Sequence, residues 1–156
     1  MEIVYKKGNL LDAQTNVIAH QVNCQGVMGS GIAKQIKEKW PIVFKEYARY
    51  CEDRWHHSLL QSCVMVQIND TQYVANLFGQ ATYGREAKRY TSYDAIYESL
   101  VRLMIHMTTK QLQSVAIPYK MSSDRGGADW NIILAMIESV FKNTNISIEI
   151  WQLEQD

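Results

Sequence analysis

Residues 16–37 read NVIAHQVNCQGVMGSGIAKQIK and contain the pattern from which we infer the fold. The apolar run at 17–19 predicts a buried strand. A loop with Asn23 and three glycines follows, and helical spacing with Ile32 and Ile36 on one face begins directly after it. A strand, a glycine-rich loop and a helix in this order present unpaired backbone N–H groups, which favour an anion such as a phosphate. An ordinary glycine-containing turn is the alternative.

A second segment has the same design. The apolar run at 114–119 predicts a strand, and the loop KMSSDRGGAD at 120–129 leads into a helix that begins near Trp130. In open α/β sheets, ligands bind outside the carboxyl ends of the strands, where such loops meet. Because two loops of this design occur, we interpret the chain as binding a ligand that carries phosphate, and a diphosphate would suit the pair.

The other segments show the spacing of strands and helices in alternation. Strands are predicted at 2–6, 16–22, 59–68, 72–78, 114–119 and 146–153, and helices after residue 31, at 41–53, at 93–110 and from 130 onward. Asn69-Asp70 predicts a hairpin turn, and Thr91 or Ser92 is expected to cap the helix at 93–110. Residues 79–91 are predicted to form a mobile loop. This order predicts a three-layer α/β/α domain with a mixed central sheet.

Composition limits the function classes. A length of 156 residues predicts a single domain over 1–156, and 47% apolar with 21% charged residues is typical of soluble globular proteins. Sixteen basic residues balance sixteen acidic ones, which argues against a broad surface for nucleic acid, so no nucleic-acid partner is expected. The longest apolar runs are too short to span a membrane, so no membrane association is expected.

Cysteine and histidine patterns indicate a location and argue against a metal. The sequence has three cysteines, an odd and sparse set that favours a reducing cytoplasm over a disulfide framework. The N-terminus shows no signal-peptide pattern. The adjacent pair His56-His57 and the isolated His106 do not have the spacing of metal ligands. We therefore expect a cytoplasmic protein with no metal and no cofactor.

Four motifs resemble the macro domain family. They are KGNLL at 7–11, IAHQVNCQGVMGSGIA at 18–33, the pattern IP…GGADW at 117–130, and IEIWQL at 148–153. The resemblance covers nearly the whole chain and is strongest to the branch with yeast-type ADP-ribose 1″-phosphate phosphatases, human terminal ADP-ribose protein glycohydrolase and related phage proteins. It implies a mixed sheet between helices and a cleft for ADP-ribose or its derivatives. An ADP-ribosylated protein is a further candidate partner.

The resemblance also implies which residues bind the ligand. Asn9, next to Leu10, falls where many macro domains have an aspartate that contacts adenine, although Asn9 could instead only shape its turn. Trp151 falls where relatives place an aromatic ring against adenine, with core packing as the alternative. The first loop would wrap the distal ribose and the diphosphate through main-chain N–H groups. Its residues are Gly26, Val27, Met28, Gly29, Ser30, Gly31, Ile32 and Ala33, of which the side chains of Val27, Met28 and Ile32 are expected to pack.

Three residues are candidates for catalysis. His20 matches a histidine of the phosphatase branch, and an imidazole with an ordinary pKa of about 6.5 can exchange a proton near neutral pH. The alternative is a strand-end histidine bonded to the backbone. Asn23 corresponds to the asparagine that holds the distal ribose in the family. Asp124 is an uncertain second participant, either a general base or part of a solvated turn.

The second loop departs from the family. Relatives commonly read Gly-Cys-Gly-Leu-Ala-Gly-Gly there, whereas this chain reads SSDRGGA at 122–128. Serine and aspartate make positive φ costlier than glycine does. Asp124 also carries negative charge towards a diphosphate, which Arg125 could compensate as a phosphate clamp. Ser122, Ser123, Gly126 and Gly127 complete the predicted set of ligand-binding residues.

The resemblance predicts two functions. The first is an enzyme that binds ADP-ribose or a derivative and hydrolyses ADP-ribose 1″-phosphate or a related ADP-ribosyl linkage. The alternative is a non-catalytic reader of ADP-ribose or a sink for a nucleotide signal. A lysine nucleophile of the kind used by the human relative is not predicted, because Gly79 or Gln80 aligns with it. The altered second loop and the missing lysine motivate this alternative, and a degenerate fold that serves in protein interaction is a third hypothesis.

Overall fold

The computed structural model describes residues 1–52, 54 and 56–154. The strands are β1 (Glu2–Lys7), β2 (Val17–Val22), β3 (Cys63–Gln67), β4 (Tyr73–Phe78), β5 (Ser114–Pro118) and β6 (Ser147–Gln152). The helices are α1 (Gly31–Lys39), α2 (Pro41–Glu52), α3 (His56–Leu59), α4 (Tyr93–Thr109) and α5 (Trp130–Phe141), with a short 3₁₀ helix at Leu10–Asp12.

The sheet has six strands in the order β1-β6-β5-β2-β4-β3. β3 pairs with β4 in antiparallel fashion, and all the other pairs are parallel. The predicted mixed sheet is therefore confirmed. Since β2 lies between β5 and β4, the loops that follow these three strands emerge side by side.

Helices cover both faces of the sheet, which confirms the three-layer prediction. On one face, α4 and α5 pack on the sheet through Ile96, Leu100, Leu103, Met107, Ile133, Ile137 and Phe141. On the other face, the 3₁₀ helix, α1, α2 and α3 contribute Leu10, Leu11, Ile36, Val43, Tyr47 and Leu59. These side chains recur every three or four residues because that spacing keeps them on one side of a helix. In the described part of the chain, no helix is both long and apolar enough to cross a bilayer.

The predicted segments differ from the observed ones mainly around residue 60. The strand predicted at 59–68 begins only at Cys63, because Leu59 ends α3 and Gln61 has a φ of +77° that breaks extended structure. The helix predicted at 41–53 ends at Glu52, and residue 53 lies outside the described residues, as do the side chains of His56 and His57. Ser92, not Thr91, caps α4 by accepting a hydrogen bond from the Ala95 N–H.

Candidate functional site

The loops that carry the predicted site residues meet at one edge of the sheet. β1, β6, β5, β2 and β4 run parallel, so their carboxyl ends lie together. Residues 8–9 follow β1, 23–30 follow β2, 79–91 follow β4, and 119–129 follow β5. This is the edge at which open α/β sheets bind their ligands.

Asn23 and Tyr47 hold the first glycine-rich loop in shape. Oδ1 of Asn23 accepts from the Gln25 N–H at 2.9 Å, and its Nδ2 donates to the Val27 carbonyl at 2.9 Å. The buried Tyr47 hydroxyl lies 2.7 Å from the Asn23 carbonyl oxygen and 2.8 Å from Oδ1. Burial raises the pKa of Tyr47, so its hydroxyl stays a donor at neutral pH. Both ends of the Asn23 amide are therefore used inside the protein, and its contact with a ribose stays a prediction.

Within this loop, Met28 and Ile32 turn inward, whereas Val27, which was also expected to pack, is half-buried and lies outside both core clusters. Met28 is buried, and Ile32 and Ala33 pack against the same core, which confirms the packing expected of Met28 and Ile32. Gly26 has a φ of +74°, a conformation that only glycine adopts at little cost. The segment at 29–31 is exposed.

The N-terminus of α1 lies at this exposed segment. Ser30 is the N-cap residue, but its side chain makes no capping hydrogen bond. Since the first turn of a helix has N–H groups without intrahelical partners, those of α1 are not satisfied by a side-chain cap. Together with the helix dipole, they favour an anion in front of Gly31. Phosphate binding by this loop stays a prediction.

His20 lies inside the protein and not at the cleft. It is 2% exposed, and its Nε2 lies 2.7 Å from Oδ1 of Asn76, the residue opposite it on β4. Burial lowers the pKa of His20 to about 4, with the Asn76 hydrogen bond acting in the opposite direction. A buried imidazole that is neutral at pH 7 is at odds with the acid/base role predicted for it. The predicted alternative, a structural histidine, fits better, although its partner is a side chain and not the backbone.

Cys24 is equally unsuited to act as a nucleophile. The residue is buried, and its Sγ donates to the Gln80 carbonyl at 3.4 Å. Burial raises the pKa of Cys24 to about 12, so its thiol is protonated at neutral pH. Because the thiolate is the reactive form, Cys24 fits the part of a small, buried loop residue and not that of a nucleophile.

Asn9 and Trp151 lie together at the carboxyl ends of β1 and β6. Oδ1 of Asn9 accepts from the Leu11 N–H at 2.9 Å and so caps the 3₁₀ helix, in which Leu10 is buried. The Trp151 ring is half-buried and covers Gly8, where a Cβ would lie 3.3 Å from the ring. Asn9 therefore shapes its turn, which is the alternative role predicted for it. Its contact with adenine stays a prediction. The Trp151 ring packs against the core and lies against Gly8, the residue that precedes Asn9.

The second loop keeps a tight turn despite its serines. Ser122 is buried and adopts a φ of +69°, while Gly126 and Gly127 allow residues 88–91 to approach closely. Ser123 is half-buried and donates from its Oγ to the Met121 carbonyl at 3.4 Å. The replacement of glycine by Ser122 has therefore not removed the left-handed backbone conformation.

A cavity of about 800 Å³ lies between the loop after β4 and the second loop. It is lined by Gly84, Arg85, Glu86, Ala87, Lys88, Arg89, Asp124, Arg125 and Gly127. Asp124 and Arg125 are exposed at its wall. Four cationic side chains against two carboxylates make this cavity favourable for an anionic ligand even though the chain as a whole is neutral.

Sequence reasoning missed Gln21 and Tyr47 as residues that shape the site. Gln21 bonds to both loops around the cavity, and Tyr47 bonds to the first loop. Gln21 could have been noticed because it is a polar residue in a strand that is mostly apolar, VIAHQV. Tyr47 showed only the helical spacing of a core residue, which gives no indication of a hydrogen bond to a loop.

The fold and these loops define a class of protein. A six-stranded mixed sheet between two helical layers, with glycine-bearing loops after adjacent strands, is an α/β domain whose loops meet at the carboxyl edge of the sheet. The Macro domain family model matches residues 19–137. The chain belongs to the macro domain family.

Individual proteins and a solved structure are similar to this chain. A DNA ADP-ribosyl glycohydrolase of Mycobacterium tuberculosis is 30% identical over 142 residues, which cover 90% of this chain and 39% of that protein. An ADP-ribose 1″-phosphate phosphatase of Meyerozyma guilliermondii is 27% identical over 121 residues, which cover 68% and 67% of the two chains. The solved macrodomain of Mycobacterium tuberculosis DarG is similar with a TM-score of 0.82 and 26% identity, covering 96% of each chain. The chain thus spans about two fifths of the length of the first relative.

Proposed function

We propose that this macro domain binds the ADP-ribose part of a larger molecule and hydrolyses the bond to its distal ribose. The observation that carries the proposal is the exposed segment at 29–31, which leads into a helix N-terminus that no side chain caps. Such a backbone site accepts a diphosphate without a formal positive charge. Relatives named for ADP-ribosyl hydrolysis support the same ligand.

The ligand would lie along the carboxyl edge of the sheet. Asn9 and Trp151 would hold adenine at the β1–β6 end, and the loop at 26–33 would hold the diphosphate and the distal ribose. Ser122, Ser123, Gly126 and Gly127 would form the facing wall. The geometry that supports this direction is the order β1-β6-β5-β2, in which Asn9 follows a strand three places from β2 and Trp151 lies on a strand two places from it.

Asp124 is the better candidate for the proton transfers. It is exposed and lines the cavity together with Arg125, whereas His20 is buried against Asn76. A carboxylate in this position can activate a water molecule, and a guanidinium can stabilise an anionic leaving group. Asp124→Asn, which keeps the volume and removes the base, is expected to lower kcat at least tenfold.

A comparison of His20→Gln with Asp124→Asn tests this assignment. His20→Gln could lower kcat as much as Asp124→Asn does and still keep the melting temperature of the parent. That result would support the acid/base role predicted for His20 and would contradict the assignment of the proton transfers to Asp124. If neither variant changes kcat, catalysis through either residue is excluded.

The basic cavity favours a nucleic-acid substrate as a second candidate. Arg85, Lys88, Arg89 and Arg125 line one cavity beside the second loop, and cationic side chains of this kind bind phosphodiesters. The relative from Mycobacterium tuberculosis is named for ADP-ribosylated DNA. This candidate runs against the expectation of no nucleic-acid partner, which considered net charge alone.

Three substrates distinguish these functions. Purified protein is incubated with ADP-ribose 1″-phosphate, with an ADP-ribosylated oligonucleotide and with an ADP-ribosylated protein, and release of ADP-ribose is followed by chromatography. We expect release from at least one of the three and micromolar binding of free ADP-ribose by calorimetry. Binding without any release would establish a reader instead of an enzyme. No binding of ADP-ribose would overturn the proposal as a whole.

A further inference from the structure

Gln21 connects the two loops that form the walls of the cavity. Its Nε2 donates to Oε1 of Gln80 at 2.7 Å and to Oγ1 of Thr91 at 2.9 Å, which lie at the two ends of the loop after β4. Its Oε1 accepts from Oγ of Ser122 at 2.7 Å in the second loop. Both amide hydrogens and one oxygen lone pair are therefore used, and every partner belongs to a cavity-forming loop.

The same network holds the backbone of the second loop. Oγ1 of Thr91 donates to the Ser122 carbonyl at 3.0 Å, which also accepts from the Ala128 N–H at 2.9 Å. The N–H groups of Tyr90 and Thr91 both donate to the Gly126 carbonyl at 2.9 Å. Ser122 is thus held through its side chain and its carbonyl together.

Neighbouring glycines leave the space that this network occupies. A Cβ on Gly79 would overlap Oε1 of Gln21, and one on Gly126 would overlap the Ser122 carbonyl and Oγ1 of Thr91. Thr91 is 2% exposed and Ser122 is 8% exposed, so this end of the network is shielded from water, while Gln21 and Gln80 are half-buried. A buried hydrogen bond that loses one partner leaves the other unsatisfied, which makes such a network sensitive to deletion of its central amide.

We propose that Gln21 is a positioning residue that fixes both cavity walls and compensates for the serine at position 122. A residue other than glycine at a φ near +69° carries a conformational cost. The hydrogen bond from Oγ of Ser122 to Gln21 offsets that cost, because it exists only when the backbone is in this conformation. This inference rests on the proposed function for its effect on the ligand, but the loop geometry itself can be measured without a ligand.

The test uses Gln21→Ala in the parent and in a Ser122→Gly background, with Gln72→Ala as the matched control. Gln72 also bridges two segments, since its Nε2 donates to the carbonyls of Ala13 and Thr15 at 2.9 Å each. These bonds lie at the amino ends of β2 and β4, away from the cavity. The control therefore removes the same side chain and a similar number of hydrogen bonds from the opposite edge of the sheet.

Amide hydrogen exchange and ADP-ribose affinity are the two measurements. We expect Gln21→Ala to speed exchange at the amides of Tyr90, Thr91 and Ala128 at least tenfold and to weaken ADP-ribose binding at least fivefold. Gln72→Ala is expected to lower the melting temperature and to change neither quantity. In the Ser122→Gly background, the effect of Gln21→Ala on affinity is expected to fall by at least half, because glycine needs no compensation.

Distinct outcomes separate the two proposals. Unchanged exchange at these three amides in Gln21→Ala overturns the positioning role, and equal losses of affinity in both backgrounds overturn the compensation of Ser122. If the parent protein binds no ADP-ribose, the proposed function fails, while the exchange rates still support or overturn the role of Gln21.

Discussion

Nε2 of His20 and Oδ1 of Asn76 lie 2.7 Å apart in the middle of an apolar layer, on paired positions of β2 and β4. Both residues are buried, and Nδ2 of Asn76 has no hydrogen-bond partner among the described residues. A neutral imidazole with its proton on Nε2 donates to the amide oxygen and satisfies one polar group of each residue. The pair tolerates a neutral histidine but offers little solvation to a charged one.

Acid is expected to destabilise the protein through His20. Its pKa is about 4 when folded against 6.5 when unfolded, so between these pH values the unfolded chain binds a proton that the folded chain does not. The free energy of unfolding therefore has its full value above pH 6.5, where His20 is neutral in both states, and it decreases as the pH falls towards 4. The loss amounts to about 3 kcal/mol of unfolding free energy. Urea unfolding at a series of pH values, compared between the parent and His20→Gln, measures it.

The parent and His20→Gln contain the same carboxylates. The difference between their pH dependences of the unfolding free energy therefore reports the titration of His20 alone. We expect the parent to lose about 3 kcal/mol more than His20→Gln between pH 7 and pH 4. Identical pH slopes would show that His20 is accessible to protons in the folded state.

The helical layers and the sheet could be predicted because the spacing of apolar residues along the chain determines both. In β2, Val17 and Ala19 face the layer of α4 and α5, while Ile18 faces the layer of α1 and α2, and such apolar positions on both sides predict a central strand. Helical spacing likewise identified the buried side of α4. Local periodicity therefore determined most element types, although helix and strand ends differed by a few residues.

The roles of individual polar residues could not be predicted in the same way. His20 and Asn76 are separated by 56 residues and Gln21 and Ser122 by 101, and their contacts depend on strand order. Whether His20 faces the cleft or the core depends on the side of the sheet to which it points. The family resemblance pointed to loops that meet at the carboxyl edge of the sheet but gave no information about these pairs.

Removal of the Tyr47 hydroxyl is expected to loosen the first loop. Tyr47→Phe deletes the contacts with the carbonyl and Oδ1 of Asn23 and is expected to cost about 1–3 kcal/mol of stability, because buried acceptors lose a partner. ADP-ribose affinity should fall as well, since Asn23 shapes the loop. Tyr50→Phe is the control, because its hydroxyl donates to Oγ of Ser62 at 3.3 Å and not to the first loop. Equal effects of both variants on affinity would contradict the role of Tyr47.

A methyl group at position 126 is expected to disrupt the second loop. In Gly126→Ala, the new Cβ would overlap the Ser122 carbonyl and Oγ1 of Thr91, and such overpacking costs about 1–3 kcal/mol. Gly29→Ala is the control, because the Cβ there would lie 3.5 Å from Cγ1 of Val27, an ordinary contact. Thermal unfolding should show a clearly lower melting temperature for Gly126→Ala alone. Similar melting temperatures would mean that the loop adjusts to the methyl group.

The two arginines that line the cavity from the loop after β4, Arg85 and Arg89, are expected to contact a polyanion and not free ADP-ribose. Arg85→Gln and Arg89→Gln should each weaken binding of an ADP-ribosylated oligonucleotide and lower the slope of log affinity against log salt by about one, since each arginine would neutralise one phosphate. Calorimetry with free ADP-ribose should show little change. Arg49→Gln is the control, because Arg49 pairs with Glu46 at 2.9 Å on α2 and does not line the cavity. An unchanged salt slope in both cavity variants would exclude phosphodiester contacts there and favour ADP-ribose 1″-phosphate as the substrate, because its single terminal phosphate can be held by backbone N–H groups of the loops.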